Sequence, residues 1–578
     1  MPNAAIEAQP VAAREAPAVA TIPLAPMLAC IAVGLSLSFT PVVVWRMTTG
    51  KWVCLQQPET LYYLQIAAQS YYNHLWYISD PVIREGAVFY PWLQFVPPVM
   101  LVRFFGLSIF SVALIWSFCA GVGLGASLYL LFWRFLRRPW IPAGLTIFCL
   151  SDLGFCGHLP LVLQLRRLMS ALVIHPSGNL TQTPLFFFQW RAPEPALALP
   201  FLFLQILAVS NAREHARRVN LWISGMAFGL LFYVFFYLWA MVAAGLFVAM
   251  LIDRAARRVY FWTILIGVAI GLPQLMLNMR SRAIASAEGA ARLGVFVRNP
   301  DLSEIRFPFV SLAIVVFVVL WIRKNRRFEL LYLASLAIAG ILLGYSGRIT
   351  GLFYHEYHFQ WLWWPLRLIL VLIVIATIAQ PCIARWPRVR LVFPLFAILY
   401  LISGMYLLAI DVTRSRFGVQ QREDFVKYSA QRMVPGVAPL IPRSVVAGSE
   451  SFAQIAGVAE NQRMLSGWAI AASPALDNSG WESRVALNAV LMGDQRADFE
   501  QVIAEVVYEF WFLDPIQPQL RAGFMRQFDE MTRDPAEAIR ALDVRYVALP
   551  AGEPPPPYVT SRFHMIQPGP SWQIWQIN

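Results

Sequence analysis

Residues 22–45 read IPLAPMLACIAVGLSLSFTPVVVW, 24 positions without a charged side chain. At 1.5 Å per residue such a run crosses the roughly 30 Å hydrocarbon layer of a bilayer as one helix. Comparable runs recur near 108–133, 140–157, 195–210, 220–236, 237–252, 260–278, 308–322, 328–345, 361–379 and 391–410. The sequence therefore predicts an α-helical polytopic membrane protein of about eleven transmembrane helices. The composition agrees: 58% of the 578 residues are hydrophobic, mean hydropathy is +0.56 and only 14% are charged, against about 25% charged in ordinary soluble chains.

Orientation follows from arginine. Basic clusters at Arg134, Arg137 and Arg138, at Arg213, Arg217 and Arg218, at Arg254, Arg257 and Arg258, at Arg323, Lys324, Arg326 and Arg327, and at Arg385, Arg388 and Arg390 each follow an even-numbered run. Short basic connections face the cytoplasm. This predicts a cytoplasmic amino terminus with a flexible Ala- and Pro-rich leader over 1–21, a transmembrane domain over 22–410, and a carboxy-terminal segment on the far side. The net charge of +13 divides accordingly: 31 basic and 14 acidic residues lie up to position 410, against 15 and 19 beyond it. The basic balance is thus a property of membrane topology, not of nucleic-acid binding.

Beyond 410 the pattern changes to mixed charge. Short apolar stretches, RSVVAG and VRYVAL, alternate with helical patterns in DFEQVIAEVVYEFWFL and DPAEAIRAL, and the chain ends in RFHMIQPGPSWQIWQI, read as a strand pair after the GEPPPP loop. Residues 411–578 are expected to form a mixed α/β soluble domain. None of the six cysteines lies there, so no disulfide framework supports it; Cys54 and Cys156 are a candidate pair outside the membrane. No Walker loop or dinucleotide fingerprint occurs, which removes the basis for ATP-driven transport.

The long connections, 46–107, 158–194, 279–307 and 346–360, all fall on the far side, where chemistry is expected. The first contains CLQQPETLYYLQIAAQSYYNHLWYISDPVIREGAVFYPWLQFVPPVMLVRFFGLS. An acid, Glu59, stands just beyond the first helix; Tyr62 and Tyr63 begin an amphipathic stretch; prolines follow at 81 and 91; and Phe-Phe-Gly-Leu-Ser enters the second helix. This layout resembles the GT-C superfamily of membrane glycosyltransferases. The resemblance implies transfer of a sugar from a polyprenyl-phosphate carrier, with inversion, to a glycan, lipid or protein acceptor at the periplasmic face of a bacterial inner membrane. It also places Glu59 where the family carries its acid, more often Asp. A transporter or flippase, and a non-catalytic assembly protein, are the competing classes.

Glycosyl transfer needs a base for the acceptor hydroxyl. Glu59 is the first candidate and Asp80 the second, with Glu85 also in the loop; an acid at 59 equally suits a helix amino terminus, and Asp80 before Pro81 equally suits a turn. The leaving phosphate needs cations, and the planar guanidinium suits it. Arg191 in FFFQWRAPEP and Arg348 in GYSGRITGLFYHEYHF sit at external helix ends, and Arg367 a turn or so into its helix. His355, Glu356 and His358 form an outward polar group suited to substrate contact. A divalent cation is an open alternative there, although His-x-x-His lacks a third and fourth ligand, so no metal residues are assigned. Asp152 in LSDLGF reads as an intramembrane acid and so as a substrate-binding candidate.

Overall fold

A computed structural model describes residues 22–53, 55, 58–80, 82, 91–157, 159–173, 188–300, 309–385, 389–414, 416–432, 438–508 and 517–578. Each of the eleven apolar runs contains a helix, that of 140–157 stopping at Ser151. The helices are α1 (Leu24–Thr49), α4 (Ser111–Leu136), α5 (Trp140–Ser151), α7 (Ala198–Glu214), α8 (Arg218–Leu231), α9 (Phe236–Ile252), α10 (Arg257–Ile284), α12 (Phe309–Lys324), α13 (Leu331–Thr350), α14 (Glu356–Arg385) and α15 (Val389–Arg414). Six of them, α1, α4, α10, α13, α14 and α15, contain spans long and apolar enough to cross a membrane. The first long connection adds α2 (Pro58–Asn73) and α3 (Trp92–Phe104), the second adds α6 (Val162–Val173), and the third adds the short α11 (Ala287–Arg292).

Contacts between connections show that the helices alternate in direction. At one end Arg134 pairs with Glu214 at 2.6 Å, Arg213 with the buried Asp253 at 2.6 Å, and Arg327 donates to the Phe135 carbonyl at 2.9 Å. Four of the five even-run arginine clusters thus share an end with one another. The long connections gather at the opposite end. Within the bundle α1 lies directly on α4: a Cβ on Gly34 would stand 2.3 Å from the Gly121 carbonyl oxygen, and one on Gly125 would stand 2.5 Å from that of Cys30. Small residues are what let two membrane helices approach backbone to backbone.

Strand β1 (Phe296–Val297) pairs antiparallel with β2 (Leu352–Phe353), stacking the Phe296 and Phe353 rings at 4.9 Å. After α15 come α16 (Arg416–Arg432) and α17 (Glu450–Ala459) and a five-stranded sheet. Its strands are β3 (Val445–Gly448), β4 (Arg463–Met464), β5 (Val544–Pro550), β6 (Phe563–Gln567) and β7 (Trp572–Ile577), ordered β4-β3-β5-β7-β6. β3 runs parallel to β4 and β5, while β7 is antiparallel to β5 and β6. RSVVAG and VRYVAL are therefore adjacent strands of a mixed sheet, and the last two runs form the expected hairpin.

The sheet region sits on the long-loop end, fastened at three places by the first and third long connections. From α2, Gln65 donates to the Gln454 carbonyl at 3.2 Å, and Asn73 accepts from Arg443 at 2.9 Å. From the α2–α3 loop, Asp80 accepts from Ser473 at 2.9 Å. From α11, the buried Arg292 donates to the carbonyls of Ala471 at 3.0 Å and Leu476 at 2.6 Å and to Asn478 at 2.5 Å, with its guanidinium 5.0 Å over the Trp481 ring. A buried guanidinium is tolerated only with its donors met, so this arginine is a structural peg.

Candidate active site

The first connection does not stay outside the bundle. After α1 ends at Thr49 the chain folds back, and Thr60 in the first turn of α2 lines a cavity of about 10 Å³ together with Ser38, Pro41, Ala113, Trp116, Ser117, Trp190 and Ala192. Pro41 lies eight residues before the end of α1 and Ser117 six after the start of α4, so Thr60 sits roughly 10 Å below the helix tips. The first turn of α2 is thus recessed. The cavity is the size of a single water, and the Ser38 hydroxyl is buried without a partner.

Glu59 precedes Thr60 and meets Arg191, which stands between Trp190 and Ala192 in the connection leading to α7. Arg191 Nη2 donates to Glu59 Oε1 at 2.7 Å, and both side chains are about four-fifths buried, at 20% and 23% exposure. Trp190 anchors this segment by donating to the Leu37 carbonyl of α1 at 2.9 Å, and Gln189 by donating to that of Leu150. The ion pair consumes one atom on each side. Glu59 Oε2 and Arg191 Nε are buried with no hydrogen-bond partner.

Aromatic rings from α9 and α14 form the adjoining wall. The Arg191 guanidinium lies 3.9 Å from the centre of the Trp361 ring, close enough for a cation–π attraction. Trp361 is 5.0 Å from His358, which stacks on Tyr237 at 4.5 Å and 11° and meets His355 edge-on at 4.4 Å. Pairing of β1 with β2 presses the third connection against this corner: Gly294 has a φ of +76°, and a Cβ there would stand 2.9 Å from that of His355. Burial, and secondarily the charge of Arg191, pull the His355 imidazole down to about 4, so it is neutral near pH 7.

Glu194, three residues beyond Arg191, was not singled out by sequence. It is 3% exposed, its Oε1 has no hydrogen-bond partner, and burial pushes its carboxyl well above the usual carboxylate range, against the opposing pull of Arg191. Burial thus favours the protonated carboxyl beside the ion pair. An acid flanked by prolines in RAPEP was the available signal, masked by its place at the edge of an apolar run.

The structure therefore brings Glu59, Arg191, His355 and His358 into one recess. The other candidates lie elsewhere. Asp80 is buried, with Oδ1 accepting from the Val82 amide at 2.7 Å in the turn that Pro81 suggested, and Oδ2 bound to Ser473 of the sheet region. Asp152 is not inside a helix: α5 stops at Ser151, and Asp152 adopts extended backbone. Its Oδ1 accepts from the Gly154 amide at 2.6 Å, while Oδ2 accepts from the Leu161 amide at 2.7 Å and from the Tyr400 hydroxyl. Arg348 closes α13, with its guanidinium 5.9 Å from the Tyr345 ring, and Arg367 donates to Ser311 of α12. Glu85 and Cys54 lie outside the described residues, as does the side chain of Glu356, while Cys156 is a free thiol. Among the described residues no three His, Cys, Asp or Glu side chains converge as a metal cluster would.

No family model and no curated protein matches the chain. Among solved structures the fold is similar to the crystal structure of ArnT from Cupriavidus metallidurans bound to undecaprenyl phosphate, at 12% identity and a TM-score of 0.48. That alignment covers 95% of this chain and 97% of the other.

Proposed function

We propose that the recess is the active site of a glycosyltransferase that takes a sugar from a polyprenyl-phosphate carrier at the far face of a bacterial inner membrane, with Glu59 as general base. The observation that carries this reading is the half-used ion pair: a carboxylate fixed by one oxygen, its second oxygen unpartnered, and a guanidinium with an unpartnered Nε beside it. Binding energy has already been spent on orientation, and hydrogen-bonding capacity remains for a substrate.

In the reaction, Glu59 Oε2 accepts the acceptor hydroxyl proton as the acceptor oxygen bonds the anomeric carbon. The bond from that carbon to the phosphate oxygen breaks on the opposite face, and its electron pair leaves with the carrier phosphate. Arg191, bonded to Glu59, holds that carboxylate in position, and its positive charge, strengthened by burial, favours the departing phosphate from across the sugar. Glu194, whose burial favours the protonated form, offers a donor to a sugar hydroxyl or phosphate oxygen, and the Trp361 face offers an apolar surface to a pyranose ring.

The test is glycolipid and surface-polysaccharide profiling by mass spectrometry in a deletion strain carrying either the wild-type protein or an equally expressed Glu59→Gln variant. Restoration of a sugar-bearing product by the wild type alone supports the reading. Equal restoration by both removes Glu59 from catalysis, and a product profile unchanged by deletion favours a transport or assembly role.

A further inference from the structure

Helix α5 is 12 residues long, about 18 Å, and cannot cross a roughly 30 Å hydrocarbon layer. Where it stops is fixed by α15. Phe148 stacks on Phe396 and Tyr400, at 6.0 and 4.7 Å, and Ser151 lies against Gly404, where a Cβ would stand 2.9 Å from the Ser151 carbonyl oxygen. Gly404 is the middle of the span Pro394–Thr413. Helix α5 therefore ends near mid-depth, and α15 continues past it for roughly 15 Å.

At this depth the chain turns with three of its amides satisfied by side chains: Asp152 takes those of Gly154 and Leu161, and Gln164 takes that of Leu153 at 3.1 Å. Irregular backbone within a membrane is tolerated only when satisfied in this way. Helix α6 then begins, tied to the same level of α15 by the 2.6 Å bond from Gln164 to Ser403. Its outer surface is apolar: Val162, Leu165 and Met169 are each about half exposed. That surface continues the lipid-facing side of α15, where Leu395, Leu399 and Ile402 are likewise exposed.

Arg166 interrupts the strip. It is four residues from Val162 and three from Met169, so it shares their face, it is exposed, and among the described residues its side chain has no hydrogen bond or ion pair. A charge on a lipid-facing helix surface is costly unless an anion meets it. In a bilayer the available anion is a lipid phosphate.

We infer that α6 lies within the bilayer with its Val162–Leu165–Met169 face in the acyl chains, and that Arg166 binds the headgroup of an anionic phospholipid drawn down over the α5 stub. The leaflet is locally thinned there, and the bound lipid supplies the charge that the chain does not. The site is separate from the Glu59 recess and does not depend on its function.

The experiment uses the full chain in nanodiscs of phosphatidylcholine and phosphatidylglycerol, with p-benzoylphenylalanine at Met169 as a photo-crosslinker and adducts weighed by mass spectrometry. Leu399→p-benzoylphenylalanine serves as the lipid-facing control and Arg521→p-benzoylphenylalanine, on the sheet region, as the water-facing one. The expected result is a phospholipid adduct at 169 enriched at least threefold in phosphatidylglycerol, with Arg166→Gln abolishing the enrichment while leaving the adduct itself. Absence of lipid adducts at 169, with the 399 control positive, would overturn the placement of α6. Adducts without headgroup preference, or a preference that survives Arg166→Gln, would overturn the role of Arg166.

Discussion

Glu59 and Arg191, 132 residues apart in sequence, are joined by a single 2.7 Å hydrogen bond that leaves Glu59 Oε2 and Arg191 Nε unengaged. A bidentate pair would have satisfied both groups and left nothing for chemistry. Glu59→Gln keeps the shape and removes the proton-accepting charge. General-base catalysis contributes about 10²–10⁴-fold, so transfer is expected to fall at least a hundredfold, with a smaller stability loss than for Arg191→Gln because the Gln oxygen still accepts from Arg191 and the guanidinium keeps the Trp361 ring. Arg191→Gln strands a mostly buried carboxylate and is expected to lose activity and about 1–3 kcal/mol of stability together. Product formation and thermal unfolding, measured on the same purified variants, separate the two patterns.

Asp152 joins the end of α5 to the start of α6 and to α15 through three donors. Asp152→Ala leaves two buried amides and the Tyr400 hydroxyl without their acceptor, at a cost on the order of 3 kcal/mol. Activity per folded molecule should be retained, since none of these partners belongs to the Glu59 recess. Thermal unfolding in detergent, paired with turnover corrected for folded fraction, checks this; a large loss of turnover in fully folded protein would assign Asp152 to substrate instead.

The contrast between these two acids marks how far sequence carries. Eleven helices and four of the five strands of the sheet are legible because an apolar run or a two-residue alternation is a local property, decided by the solvent it faces, whereas the two-residue β4 carries no such pattern. Glu59 and Arg191 are legible as types near helix ends, a carboxylate and a guanidinium of the kinds the proposed transfer needs. Their pairing is not, nor is the fold-back of α2 that recesses them, because both depend on Trp190 reaching Leu37 across 153 residues. Asp152 was rightly marked as unusual for its apolar surroundings, yet its partner Tyr400 lies 248 residues away, and only that partner tells a fastener from a ligand. Glu194 was missed because an apolar run and its prolines suggested only a helix entry.

The α1–α4 contact gives a third test. A Cβ at Gly34 would stand 2.3 Å from the Gly121 carbonyl oxygen, which is backbone and cannot rotate away. Gly34→Ala must push the helices apart, costing about 1–3 kcal/mol as overpacking does. Because Ser38 and Pro41, a turn or two further along α1, line the cavity behind Thr60, the displacement should also lower turnover. Gly123→Ala is the control: its Cβ would meet only the Pro200 side chain, at 3.0 Å, and a smaller effect is expected. Equal unfolding temperatures for wild type and Gly34→Ala would contradict the close approach.

The His355 imidazole gives a pH dependence with a definite sign. Burial and Arg191 lower it from 6.5 to about 4. The unfolded chain therefore takes up a proton near pH 6.5 while the folded chain refuses it until about pH 4. The contribution of the neutral ring is fully present above pH 6.5 and is lost as pH falls from 6.5 towards 4, with a slope of up to about 1.4 kcal/mol per pH unit. His355→Gln removes the titrating group, so the acid-side decline should become shallower in the variant, and the two stability curves should converge on acidification if the variant is the less stable at pH 7.5. Thermal unfolding of both proteins from pH 7.5 to 4.5 measures this directly. Parallel curves throughout would mean that His355 takes up its proton at the same pH in the folded and unfolded chains, so that neither burial nor Arg191 shifts it.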